Sequence, residues 1–130
     1  MGKAYSNCCF FRLKKQTCDS PKSPALILKQ QGNLQFLIKN HEKSIESYSQ
    51  AIDLEPSNHF LYSNRSYAYL KFEKLDDALR DANKCIALQP EWGKGYERKA
   101  AVYIHQKEFD QAEAVHQLGM RFCTEQEYCR

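Results

Sequence analysis

Lys94 and Arg98 stand four residues apart in the stretch Trp92-Gly93-Lys94-Gly95-Tyr96-Glu97-Arg98-Lys99. If this stretch is helical, both cations share one face, and like charges at that spacing cost about 0.2–0.5 kcal/mol. Such a face has two readings. It is either an ordinary solvated surface or a surface built to receive an anion, and the choice depends on what the chain places beside the pair.

Composition narrows the classes. A chain of 130 residues, 42% hydrophobic and 27% charged, suits one domain with a real core. Five glycines, four prolines and no useful strand-like alternation favour an all-α fold. The net charge of +3 is concentrated before residue 25, where Lys3, Arg12, Lys14, Lys15 and Lys22 face only Asp19 for a local +4, so the remainder carries about −1. No general polyanion binder is built this way, and no nucleic acid partner is expected.

The six cysteines (Cys8, Cys9, Cys18, Cys85, Cys123 and Cys129) form no Cys-x-x-Cys pair, and the four histidines lack ligand spacing. No metal and no cofactor are expected. There is no Ser/His/Asp arrangement and no glycine-rich phosphate loop, so the chain reads as a non-enzyme with no catalytic residues and no small-molecule substrate. The apolar run Cys8-Cys9-Phe10-Phe11 is cut off by Arg12, too short for a secretory signal, and no stretch approaches the roughly 20 apolar residues of a membrane span. A reducing, cytoplasmic setting with free thiols follows.

Residues 1–24 read as a flexible tail. Met1-Gly2-Lys3-Ala4-Tyr5-Ser6 fits the N-myristoylation pattern, with Gly2 exposed once Met1 is removed. Cys8 and Cys9 are candidate palmitoylation sites, and Arg12, Lys14 and Lys15 suit anionic headgroups at the cytoplasmic face of a membrane. The combination has a physical logic: one myristoyl chain binds membranes with a constant of only about 10⁴ M⁻¹, so stable anchoring takes a second signal. Each basic residue near an anionic surface adds about 1 kcal/mol. The alternative is a leader whose Met-Gly start is chance. Lys14 to Pro24 then forms a short linker.

From Ala25 the sequence repeats itself every 34 residues. Pro56 and Pro90 are so related, as are Ser44, Ala78 and Ala112; Ala51, Cys85 and Gly119; Leu28, Tyr62 and Tyr96; and Gly32, Ser66 and Ala100. Small residues at the middle positions and a closing proline at this period mark tetratricopeptide repeats, helix pairs stacked in a right-handed superhelix. Three units follow, 25–58, 59–92 and 93–126, leaving 127–130 as a C-terminal tail. Lys39-Asn40, Glu73-Lys74 and Lys107-Glu108 fall at the turns within units, and Ser57 or Asn58 is available to cap the next helix. Small residues let paired helices approach, and Leu28, Tyr48, Tyr62, Leu79 and Tyr96 fill the space between units, so most aromatics read as core. Few residues remain after Phe122, so the terminal capping helix is short or missing. Either it is very short, or a partner, a second copy or the N-terminal tail covers the exposed face.

Positions 2, 5, 6 and 9 of each unit share one face of its first helix, which lines the inner groove. They include Lys29 and Asn33 in unit one, Asn64 in unit two, and Lys94 and Arg98 in unit three. Three cations and two amides converge. An ionised carboxylate only accepts hydrogen bonds, so these are the donors it requires. A peptide C-terminus supplies one carboxylate, and an acidic last side chain supplies a second.

Over residues 25–122 the chain resembles the dicarboxylate-clamp class of tetratricopeptide domains found in the Hsp-organising co-chaperone family. The resemblance rests on Leu28-Lys29-Gln30-Gln31-Gly32-Asn33, Leu61-Tyr62-Ser63-Asn64-Arg65-Ser66 and Trp92-Gly93-Lys94-Gly95-Tyr96-Glu97-Arg98-Lys99-Ala100. It implies that Lys29, Asn33, Asn64, Lys94 and Arg98 are the clamp. The implied ligand is the C-terminal Glu-Glu-Val-Asp tail of the 70-kilodalton and 90-kilodalton heat-shock chaperones, and the tryptophan-bearing motif leans toward the 70-kilodalton class. Phe36 and Leu37 either form an apolar pocket for a ligand side chain or serve as packing. The alternative function keeps the fold but binds another acidic C-terminus or an internal segment, unconnected with chaperones.

Overall fold

The computed structural model describes residues 23–122. Gly2, Cys8, Cys9 and the basic tail lie outside the described residues, as does the question of the terminal cap. Six helices run in order: α1 (Pro24–Leu37), α2 (His41–Leu54), α3 (His59–Lys71), α4 (Leu75–Leu88), α5 (Gly93–His105) and α6 (Phe109–Phe122), with no strand among the described residues. Each helix packs on the next, and α3 also touches α5, so the first helices of successive units stand side by side.

Local chemistry explains the boundaries. Ser23 caps α1 by accepting the Leu26 N–H at 3.1 Å, with Pro24 preset for the first turn, so the end of the linker belongs to the helix start. Of the two candidate caps for α3, Asn58 does the work, accepting the Phe60 N–H at 3.0 Å. Lys39, Glu73 and Lys107 adopt left-handed φ values of 65°, 64° and 66°, and each ends a first helix. Behind each, two N–H groups reach back to the last turn, from Lys39 to Phe36 O (2.9 Å) and from Asn40 to Gln35 O (2.8 Å) in unit one. This is the Schellman closure, repeated in units two and three, which satisfies carbonyls that the helix end leaves open.

The small-residue positions act as the repeat predicts. A Cβ on Gly32 would lie 2.6 Å from the Tyr48 ring, so only glycine lets α1 and α2 close to this distance. Ser44 Oγ donates to Gly32 O at 2.9 Å, while in unit two the serine has changed sides, Ser66 Oγ donating to Ala78 O at 2.8 Å. Both hydroxyls are buried and bonded, so they add no desolvation penalty. Between units, Tyr62 Oη donates to Pro56 O (2.9 Å) and Tyr96 Oη to Pro90 O (2.8 Å), tying each linking turn to the next first helix.

Tyr48, Tyr62 and Tyr96 are core residues, with Leu28 and Leu79 packed against the core. The phenylalanines differ. Phe60, Phe72, Phe109 and Phe122 remain exposed, near helix ends.

Candidate functional site

The facing side chains come from α1, α3 and α5, the first helices of the three units. Gly95 lets α5 sit close against α4, since a Cβ there would meet Ile86 Cγ1 at 2.9 Å. That approach fixes the wall carrying Lys94 and Arg98.

Asn33 of α1 and Asn64 of α3 line one pocket of about 250 Å³, together with Phe36, Leu37, Tyr48 and Tyr67. Tyr48 Oη, reaching through from α2, donates to Asn33 Oδ1. With its oxygen engaged, Asn33 has its amide nitrogen left as the group to offer a ligand. Burial raises the Tyr48 pKa, opposed by a hydrogen bond with Ser44 and by the Arg98 charge, so the phenol holds its proton and stays a donor.

Arg98 is the most constrained cation of the groove. Its Nε donates to the buried Ser63 Oγ at 3.1 Å, and its guanidinium lies 4.4 Å from the Tyr67 ring centroid. Burial pulls its pKa down, opposed by the neighbouring Glu97 charge and by Tyr67. Among the described residues no carboxylate comes within 4 Å of it. A cation held this way, partly desolvated and without a counterion, favours an incoming anion.

The other two cations are held differently. Lys29 Nζ lies 5.5 Å over the Phe60 ring, and Lys94 Nζ is 3.3 Å from Glu97 Oε1. Glu97 thus offsets part of the repulsion that the Lys94/Arg98 spacing implies. The two amides share a pocket and Arg98 joins them through Tyr67, whereas Lys29 and Lys94 do not line that pocket, and Lys29 lines another with Ser23, Glu55 and Asn58.

Phe36 both packs and lines the pocket. It stacks on Tyr67 at 5.2 Å and meets His41 edge-on at 5.1 Å, while Leu37 is 74% exposed at the rim. Every polar group presented by Lys29, Lys94, Arg98 and the free face of Asn33 is a donor, beside an apolar patch. Chemically the groove can hold a carboxylate and one apolar side chain. Cys85 is a poor nucleophile: burial pushes its thiol up to about 12, the Arg98 charge opposing and Asp81 adding to the rise.

Four residues of the groove go unnamed by the clamp pattern: Tyr48, Phe60, Ser63 and Tyr67. Phe60, Ser63 and Tyr67 occupy positions 2, 5 and 9 of unit two, the same face that singled out the clamp residues, so the signal was present. A hydroxyl or an aromatic ring on that face serves equally as packing, so the spacing alone does not separate them. Tyr48 belongs to a second helix, and its only signal is a hydroxyl that packing alone does not require.

Residues 25–58 match the tetratricopeptide repeat family, and the six helices repeat the helix pair of that matched stretch three times. The repeats are similar to Heat shock protein STI1 of Saccharomyces cerevisiae, 46% identical over 87 residues. That match takes in 66% of this chain but 15% of the relative, so the chain spans about one-sixth of the length of the curated relatives it matches. Among solved structures, the first TPR of Spaghetti (RPAP3) bound to HSP90 peptide SRMEEVD is 28% identical with a TM-score of 0.71, covering 76% of this chain and 79% of that one. The TPR2B domain of yeast Sti1 in complex with an Hsp70 peptide is 27% identical with a TM-score of 0.71, covering 74% and 77%. The stretches matched are tetratricopeptide domains, not catalytic ones.

Proposed function

We propose that this chain is a non-enzymatic adaptor that captures the C-terminal Glu-Glu-Val-Asp tail of 70-kilodalton or 90-kilodalton heat-shock chaperones. Lys29, Asn33, Asn64, Lys94 and Arg98 form the clamp, and Phe36 and Leu37 receive an apolar side chain of the peptide. The observation that carries the proposal is Arg98, set on Tyr67 with Ser63 behind it and no carboxylate within 4 Å among the described residues. A peptide's terminal carboxylates supply the missing counterion. The likeness to repeat domains solved with HSP90 and Hsp70 peptides supports the same ligand class.

Calorimetry with a Glu-Glu-Val-Asp peptide tests this. Lys94→Ala and Arg98→Glu are expected to abolish binding while leaving the helical circular dichroism unchanged, and amidating the peptide's C-terminus removes most of the affinity of the native chain. Undiminished affinity in either variant rejects the clamp, and undiminished affinity for the amide favours a scaffold for internal segments.

The proposal extends to a membrane tether. Gly2, Cys8 and Cys9 would carry lipid and the adjoining lysines and arginine would meet anionic headgroups, bringing the bound chaperone to the cytoplasmic face of a membrane. Cells fed a myristate analogue are expected to label the native chain and not Gly2→Ala; equal labelling of the two rejects the tether.

A further inference from the structure

Besides its groove face, the first helix of each unit has a face formed by positions 3, 7 and 10, spaced by four and three residues. In units two and three this face packs on the second helix of the unit before it, in an antiparallel register. Position 3 meets position 28, since a Cβ on Gly95 would lie 2.9 Å from Ile86 Cγ1. Position 7 meets position 25, where Arg65 Nη1 donates to Ser49 Oγ at 3.0 Å. Position 10 joins position 21, Val102 being buried in one apolar cluster with Leu79. Leu61 and Ala68 of α3, and Gly95 and Val102 of α5, are accordingly buried. In α1 the same positions hold Ile27, Gln31 and Leu34, and there Ile27 is 43% and Leu34 62% exposed. Two large apolar side chains thus stand open at positions that are closed in the other two units.

The sequence just before α1 supplies an occupant. Continuing the 34-residue period back from α2 puts residues 7–20 where a preceding second helix would lie, with Phe11 at position 21, Lys15 at position 25 and Cys18 at position 28. In the register of the other units Phe11 then meets Leu34 and Cys18 meets Ile27. Lys15 meets Gln31, whose side-chain oxygen can accept from the ammonium as Ser49 accepts from Arg65. The connection fits as well. Pro21 ends a helix at Ser20, leaving residues 21–23 to reach Pro24, close to the turns at 55–58 and 89–92 that link the other units. Phe10 falls at the position of Ser44, Ala78 and Ala112, where paired helices approach. A ring there keeps a first helix from closing on the segment, which therefore suits the face of α1 and not a repeat of its own.

We propose that residues 7–20 of this chain dock as a helix on the Ile27/Leu34 face of α1, closing the start of the array as α2 and α4 close the faces of α3 and α5. A helix of about 14 residues is marginal alone in water and gains its stability by burying an apolar face, so segment and face each supply what the other lacks. The inference is independent of the clamp, because Ile27 and Leu34 belong to another side of α1 than Lys29 and Asn33. It is also compatible with a lipid tether, since Gly2, Cys8 and Cys9 all precede Phe11.

The test follows alkylation of Cys18 by iodoacetamide in the full chain, read by peptide mass mapping. In the native chain Cys18 is expected to react about tenfold more slowly than in the same chain unfolded in urea, at a rate independent of protein concentration. Phe11→Glu, and separately Ile27→Glu with Leu34→Glu, should restore the unfolded rate at Cys18 while the buried Cys85 stays protected, which shows that the repeats remain folded. If Cys18 reacts in the native chain as it does in urea, or keeps its protection once Ile27 and Leu34 are replaced, the docking is overturned. Protection that appears only as concentration rises means that a second copy covers the face, and overturns it as well.

Discussion

Arg65 and Arg98 belong to neighbouring first helices and differ by one position in their units, yet they lead opposite electrostatic lives. Arg65 turns toward α2 and α4, where it makes a two-pronged bond to Asp81 (2.6 and 2.8 Å) and a third to Ser49 Oγ (3.0 Å), between the rings of Tyr62 and Tyr69. Arg98 turns into the groove, where it has a ring and one hydroxyl but no carboxylate. The proton affinities follow. Burial lowers both, but at Arg65 the hydrogen bonds and charge of Asp81 outweigh it and the pKa is raised, whereas at Arg98 burial prevails and the pKa is lowered. One arginine is neutralised within the fold; the other, in the proposed clamp, is open to a ligand's carboxylate.

Removing Asp81 tests the first half with the largest expected effect. Asp81→Ala strands a buried guanidinium and should cost about 3 kcal/mol in urea denaturation, while the peptide affinity of the folded molecules stays unchanged. Arg98→Met should do the reverse. Stability is expected to stay within about 1 kcal/mol of the native chain, since a partly desolvated, uncompensated charge is replaced by an apolar side chain, and peptide affinity is expected to fall about 100-fold. If Arg98→Met unfolds the domain, or Asp81→Ala weakens the peptide directly, the division of labour is wrong.

The 34-residue period made most of the fold legible, because every unit must bury the same small residues and close the same turns. The turn sites, the proline ends and the tyrosine core all follow from it. The difference between Arg65 and Arg98 was only half legible. Helical position separates an inward face from a packing face, which marks Arg98, but nothing local says that Asp81, sixteen residues on and in the next helix, will neutralise Arg65. Tertiary pairing of this kind has no period. Likewise Ser63 and Tyr67 lie on the marked face, but a serine and a tyrosine there read equally as packing, and only the tertiary contacts show them holding the Arg98 guanidinium in place.

Tyr48 sharpens that last point at smaller magnitude. Tyr48→Phe keeps the ring that packs over Gly32 and removes only the hydroxyl that engages Asn33. Stability is expected to change by about 1 kcal/mol or less, and peptide affinity to fall about fivefold, the usual worth of one hydrogen bond, as Asn33 loses its fixed orientation. Adding Asn33→Ala to Tyr48→Phe should cost no more affinity than Asn33→Ala alone, which separates positioning from direct contact; additive losses would mean that the hydroxyl touches the ligand itself.

The smallest effect concerns salt. The Arg65–Asp81 pair is closed inside the protein, its carboxylate 3% exposed, whereas the clamp lysines are reached by solvent. At 1 M ionic strength the screening length is about 3 Å, against about 10 Å at 0.1 M, so exposed charges lose most of their reach and the internal pair loses little. Peptide affinity should therefore fall several-fold across that range. The coupling between Arg65 and Asp81, measured by a double-mutant cycle in urea at each salt concentration, should change far less. Equal salt sensitivity of the two would mean that Arg65 is also open to solvent, and the contrast between the arginines would then be one of partner alone and not of environment.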